Sequence, residues 1–164
     1  MARAMREQEV VRFRVAGFWR RLLAAALDAF VLAPFFAFTG LLLALGSGAR
    51  IPRWRESWLD YVVELVLGKS PLAIGGVFLC VAIAGLYFTL FHAARGQTLG
   101  KQALGLQVIT LRGVRPTIVG SLARTAAYVP SFLLCGLGFL WIGFDREKRG
   151  LHDWLAGTYV VRAP

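Results

Sequence analysis

Three long apolar runs constrain this chain more than any other feature. Residues 22–45, 72–91 and 125–144 are uncharged or nearly so, and each is at least 20 residues long. About 20 apolar residues in helical form cross the ~30 Å hydrocarbon core of a bilayer. A water-soluble globule of 164 residues has too little other chain to bury all three. The expectation is an all-α membrane protein with a single domain over 1–164, built as a small helical bundle of three apolar segments.

The first run is too long for the core of a cleaved signal peptide, and no clean small-residue cleavage site follows it. The net charge of +10 fits loops held on a cytoplasmic face, against anionic lipid. No basic helix or aromatic–basic platform argues for nucleic acid. Cys80 and Cys135 fall in apolar runs, with neither disulfide nor metal-ligand spacing.

In chain order, residues 1–16 form a basic arm, with a short strand allowed near Val10–Val15. Pro34 lies inside the first run. Trp54, Trp58, Tyr61, Val62, Leu65 and Val66 recur at intervals of three and four, with charges between them. That pattern predicts an interfacial amphipathic helix over 53–67. Ser70 and Pro71 open the second run, whose Gly75, Gly76 and Gly85 offer a small-residue packing surface. Leu106–Leu111 reads as a strand, Arg112-Gly113 as a turn and Val114–Pro116 as the return of a short cytoplasmic β-hairpin. Gly157–Arg162 is a further strand, able to satisfy the first if both lie on one side.

Basic residues divide eleven against eight if the third run crosses, and fifteen against four if it enters and returns as a re-entrant hairpin. The positive-inside rule favours the return, with Pro130 and Cys135–Gly138 as places to bend. The predicted location is the bacterial cytoplasmic (inner) membrane, with the amino terminus cytoplasmic.

Of the nine acidic residues only Asp28 lies within an apolar run. An ionised carboxylate there costs about 2.5–3.5 kcal/mol on insertion scales, so Asp28 needs a partner, a watery cavity or a proton. Arg21 is two helical turns away, ~10 Å along the axis, too far for a direct pair, and is expected to snorkel to the headgroups. Arg124 is the first choice of partner for Asp28, with Lys101, His92 and His152 behind it. Asp28 is then either a proton or cation site on a transport path or half of a structural lock.

Gly96-Gln97-Thr98-Leu99-Gly100-Lys101 is not a nucleotide-binding loop, because the glycine spacing is short and Gln102 follows the lysine. It reads as a tight glycine-shaped re-entry, with anion binding by its amides as the minor alternative. The segment from Asp145 to Trp154 is a charged loop, in which Asp153 is suited to accept backbone N–H bonds. His152 beside one aspartate, without a nucleophile, does not make an enzyme.

Together these pieces resemble the RDD family of membrane proteins. The matching residues are Gly17–Ala24 through Asp28, Gly96–Lys101 with Gly105–Val108, Arg124, and Leu151–Val161. The family is named for one arginine and two aspartates, which by position correspond to Arg21, Asp28 and Asp153. Arg124, Lys101, Asp145 and His152 are supporting charges, and Gly96, Thr98 and Gly100 form the glycine loop. The resemblance implies no enzymatic activity, metal or cofactor. It implies either cation/proton exchange, which in so small a chain requires an oligomer, or a non-catalytic module that binds or stabilises a membrane partner. The 53–67 segment departs from the family pattern.

Overall fold

The computed structural model describes residues 14–47 and 71–163; the predicted 53–67 helix and most of the basic arm lie outside them. Helix α1 (Phe18–Ser47) and helix α2 (Pro71–Arg95) are each long and apolar enough to span a membrane. Helix α1 runs continuously through Pro34. The two are antiparallel: Leu43 packs on Gly76 near one end, and Asp28 meets Tyr87 near the other. Of the three glycines offered for packing, Gly76 faces α1, Gly85 faces Thr125, and Gly75 faces open space.

Helix α2 stops at Gly96, whose φ of +68° suits a residue without Cβ. The short helix α3 (Leu99–Ala103) follows, with Thr98 as its N-cap accepting from the Lys101 amide. Strand β1 (Leu106–Thr110) comes next, then helices α4 (Ile118–Ala126), α5 (Tyr128–Leu133) and α6 (Leu137–Phe144). Helix α7 (Leu151–Ala156) and strand β2 (Thr158–Arg162) close the chain.

Strand β1 pairs antiparallel with β2, Leu106 opposite Arg162 and Thr110 opposite Thr158. The predicted local hairpin is therefore corrected. Residues 111–116 only turn: the Gly113 amide bonds the Thr110 carbonyl, and the Thr110 amide bonds the Val114 carbonyl. Pro116 has no N–H to extend a ladder there, whereas β2 brings Val160 onto the same buried face as Leu106 and Val108. Those three with Ala16 and Ala24 make a small core beneath the sheet. The amino-terminal segment joins the other edge of β2, through the Val15–Val161 bridge and the Ala16 amide on the Val160 carbonyl.

The third apolar run is broken rather than continuous. The α4–α5 part and α6 meet at 98°, at Cys135 and Gly136, both with positive φ. The run begins soon after β1 and ends shortly before β2, so both its ends lead to the same two-stranded sheet. Ser131 packs closely on Gly138 across the bend.

Helix α3 is pressed against α1 so closely that a Cβ on Gly100 would lie 2.1 Å from the Ala24 carbonyl oxygen and 2.9 Å from the Asp28 amide nitrogen. Both are backbone atoms of a helix and cannot swing aside. Gly100→Ala should cost about 1–3 kcal/mol as overpacking, read as a lower unfolding midpoint in detergent. Gly75→Ala, where nothing stands within 4 Å, should leave the midpoint unchanged.

Candidate functional site

The buried charges gather where the start of α1, the end of α2, α3, α4 and α7 meet beneath the sheet. Arg21, Asp28, Lys101, Arg124, His152 and Asp153 are all buried. They form two linked groups, each centred on one carboxylate.

Asp153 is the first centre. Its carboxylate takes Arg21 Nη1 at 2.5 Å on one oxygen and Arg124 Nη1 at 2.6 Å on the other. The Gly150 amide donates to it at 3.1 Å, so Asp153 also caps the start of its own helix, as the sequence suggested. Arg124 also donates to Thr158 Oγ1 at 2.5 Å, and Arg21 Nε to the Ala16 carbonyl at 3.0 Å. Burial pushes the Asp153 carboxyl up, but Arg124 and Arg21 outweigh it and hold the group well below the usual carboxylate range. His152 Nε2 stands 3.6 Å from Asp153. Burial pushes that imidazole down to about 3, so it is a neutral ring in contact rather than an ion-pair partner.

Asp28 is the second centre. One oxygen accepts from Tyr87 Oη and the Gly100 amide, both at 2.7 Å, and the other from Thr98 Oγ1 at 2.6 Å. Two expectations are thereby corrected. Arg124 is the partner of Asp153, not of Asp28. Arg21 turns inward to the same carboxylate instead of snorkelling to the headgroups. The anion bound by the glycine loop is the protein's own Asp28 side chain. Gly96 serves the loop differently, its carbonyl accepting from the Val108 amide at 2.7 Å. Asp145 stays outside the cluster and accepts from the Arg149 amide at 2.8 Å.

Lys101 is the basic group left over. Its side chain makes no ion pair among the described residues. Its ammonium has a long 3.5 Å contact to Thr98 Oγ1 and lies 5.9 Å from the centroid of the Phe88 ring. Burial pushes the amine down, and the charge of Arg124 adds to this against the opposing pull of Asp28, leaving it at about 7.

These groups lie at one end of a cavity of about 500 Å³. Arg21, Asp28, Lys101, Arg124 and His152 line that end, while Leu22, Phe132, Phe139 and Leu140 line the rest. Among the described residues no three His, Cys, Asp or Glu side chains come together as a metal site would require.

The model of the RDD family matches residues 15–157, which include both carboxylate centres. The chain belongs to the RDD family. A relative in Bacillus subtilis, the uncharacterized protein YxaI, is 33% identical over 153 residues, covering 89% of this chain and 96% of its own length. A second from the same organism, the uncharacterized protein YckC, is 27% identical over 92% of this chain and 87% of its own length. The uncharacterized protein RP437 of Rickettsia prowazekii is 34% identical over 47% of this chain and 43% of its own length. No solved structure matches. The family match and two apolar helices identify an integral membrane protein of the RDD family, in a lipid environment.

In this RDD chain the sequence picked out both carboxylates and their basic neighbours but missed Tyr87, Thr158 and Ala24. Tyr87 carried a usable signal. With Thr89 it is one of two hydroxyl-bearing side chains in the 72–91 run, and it lies at the depth of Asp28 once the two helices are laid antiparallel.

Removing the charge of Asp153 strands two buried guanidiniums. Asp153→Asn should cost about 3–5 kcal/mol, against about 1 kcal/mol for Asp145→Asn, which weakens one hydrogen bond to a backbone amide; denaturant unfolding in detergent compares them. Lys101 brings a pH effect in a different window, because its lowered affinity for a proton is felt above neutral pH. Between pH about 7 and its ordinary value of 10.5, the unfolded lysine holds a proton that the folded one has released. Stability therefore rises with pH across that window. Lys101→Met should remove this rise in unfolding midpoints measured from pH 6 to pH 10.

Proposed function

We propose that this chain is a small proton-linked membrane transport module, in which Lys101 carries the proton and the cavity beside Asp28 receives the charged solute. The observation that carries the reading is the charge balance of the cluster. Arg21 and Arg124 are matched by Asp28 and Asp153, so a protonated Lys101 leaves the cavity one positive charge in excess, and a neutral Lys101 leaves it balanced. A buried cluster resists carrying uncompensated charge, so solute charge and lysine protonation are coupled. A cation entering competes with the proton, which is exchange. An anion entering accompanies the proton, which is co-transport.

The presence of Asp28 on the cavity wall favours the exchange form, and would require Tyr87 or Thr98 to release the carboxylate. The charged groups with unused capacity in the cavity, Arg124 and Lys101, are N–H donors, which favours the anion form. Two spanning helices and one bent segment among the described residues are too few for a complete transport path, so an oligomer or a membrane partner would supply the second route. The distribution of basic residues supports an amino terminus on the cytoplasmic side, with the bent third run returning to that side.

The test is flux into proteoliposomes containing a pH dye, under gradients of sodium, potassium and chloride. The expected result is solute-dependent proton movement that changes most steeply near pH 7, is lost in Lys101→Met, and is reduced at least tenfold in Asp28→Asn. No proton movement under any gradient would overturn the transport reading. Full flux from Lys101→Met would remove that residue from the mechanism.

A further inference from the structure

The cavity has a polar floor and an apolar rim, and the contrast between them restricts what it receives. At the floor Asp28, Arg124, His152, Lys101 and Arg21 are buried, Arg124 at 1% exposure. At the rim Leu22, Phe132, Cys135 and Leu140 are exposed. These rim residues come from α1 and from the bend between α5 and α6, within segments that are apolar enough for the hydrocarbon of a bilayer. A hydrated ion entering across this rim, rather than by the second route that a partner subunit would supply, would have to shed water over apolar side chains, at a cost of several kcal/mol or more. A molecule already in the bilayer, with an apolar chain and a charged head, would not.

The sign of the head follows from the groups that lack partners. Both carboxylates are fully engaged, Asp28 by three donors and Asp153 by two guanidiniums and an amide. The neutral His152 Nδ1 is also unpartnered but carries no charge, and the charged groups with unused capacity are both donors. Arg124 Nε has no hydrogen-bond partner, and Lys101 Nζ has only the long contact to Thr98. A buried N–H without an acceptor costs about 1–3 kcal/mol, and an anionic oxygen would satisfy both groups.

We propose that the cavity is a binding site for one anionic membrane phospholipid. The phosphate would lie against Lys101 and Arg124, and an acyl chain would pass over Phe139 and out between Leu22 and Phe132. The volume of about 500 Å³ accommodates a phosphate and the first part of a chain, the remainder staying in the bilayer. This inference rests on the cavity being the working site proposed above, but it concerns what binds there, not whether charge moves.

The experiment is native mass spectrometry of the full chain released from nanodiscs of phosphatidylcholine with phosphatidylglycerol, beside a maleimide assay on Cys135 in a Cys80→Ser background, where it is the sole thiol. One phosphatidylglycerol should be retained per chain, and Cys135 labelling should slow several-fold compared with discs of phosphatidylcholine alone. Lys101→Gln should weaken retention about tenfold or more, the scale of one hydrogen bond to a charged group. Ala25→Phe, which fills the cavity without removing a charge, should abolish retention while leaving the unfolding midpoint within a few degrees of wild type.

Equal retention of phosphatidylcholine, retention undiminished in Ala25→Phe, or protection of Cys135 by inorganic phosphate alone would each overturn the lipid site. So would a lipid-free dimer in which Cys135 is protected by the second copy. Specific retention of phosphatidylglycerol without flux in proteoliposomes would sink the transport reading and leave this site standing; flux without retention would do the reverse.

Discussion

The fold depends first on the Asp153 carboxylate and the two guanidiniums it holds. Arg21 comes from the start of the first spanning helix, Arg124 from the first helix of the bent segment, and Asp153 from the last helix. A buried charge is tolerated only when paired and hydrogen-bonded, so none of the three elements can take its place alone. The pairing also sets the sheet. Asp153 stands five residues before Thr158, which opens β2 and accepts from Arg124. Once α7 is locked, β2 has little freedom except to lie along β1, and the amino-terminal segment then adds to its free edge.

Asp28 does for α3 what Asp153 does for α7. Each carboxylate receives a backbone amide near the start of a short helix together with side-chain donors. Neither helix is long enough to be stable alone. Each is held by an acid buried beneath it, Asp28 from the neighbouring helix and Asp153 from within its own. Gly100 is what allows Asp28 to reach, because any side chain there would collide with the backbone of α1. The Thr98-Leu99-Gly100-Lys101 run is therefore one device: a cap, a close approach, and a lysine carried into the cavity.

Much of this architecture was legible in the sequence, because membrane insertion and local chain chemistry leave local marks. The apolar runs marked both spanning helices to within a few residues at each end. Pro71 marked the start of α2, and short β-favouring stretches marked both strands; of the two places offered for the bend, Cys135–Gly138 holds it and Pro130 lies inside a helix. The lone intramembrane acid and the seven-residue gap from Arg21 correctly argued against a pair between them. The choice of partners was not legible. Arg21 and Asp153 are 132 residues apart, and Arg21 has equal chemical reason to meet a lipid phosphate or a carboxylate until α7 is placed. The same ignorance assigned Arg124 to Asp28. A loop whose amides suit an anion says nothing about whether that anion is a ligand or a side chain of the neighbouring helix.

Once both acids are accounted for, the unmatched charge of Lys101 becomes the informative feature. A network built only to hold helices together would be most stable with its charges balanced, and best of all with apolar residues of similar shape. Here a third basic group is carried on a short helix into an apolar-walled cavity, where burial weakens its hold on a proton. That arrangement costs stability at neutral pH and does nothing for the fold that a methionine would not do. The cost is recovered only when something else enters: an anion that restores neutrality, or conditions that take the proton away. The lock at Asp153 and the cap at Asp28 explain why the chain folds as it does. The unpaired lysine beside them is the part of the cluster that folding alone does not require.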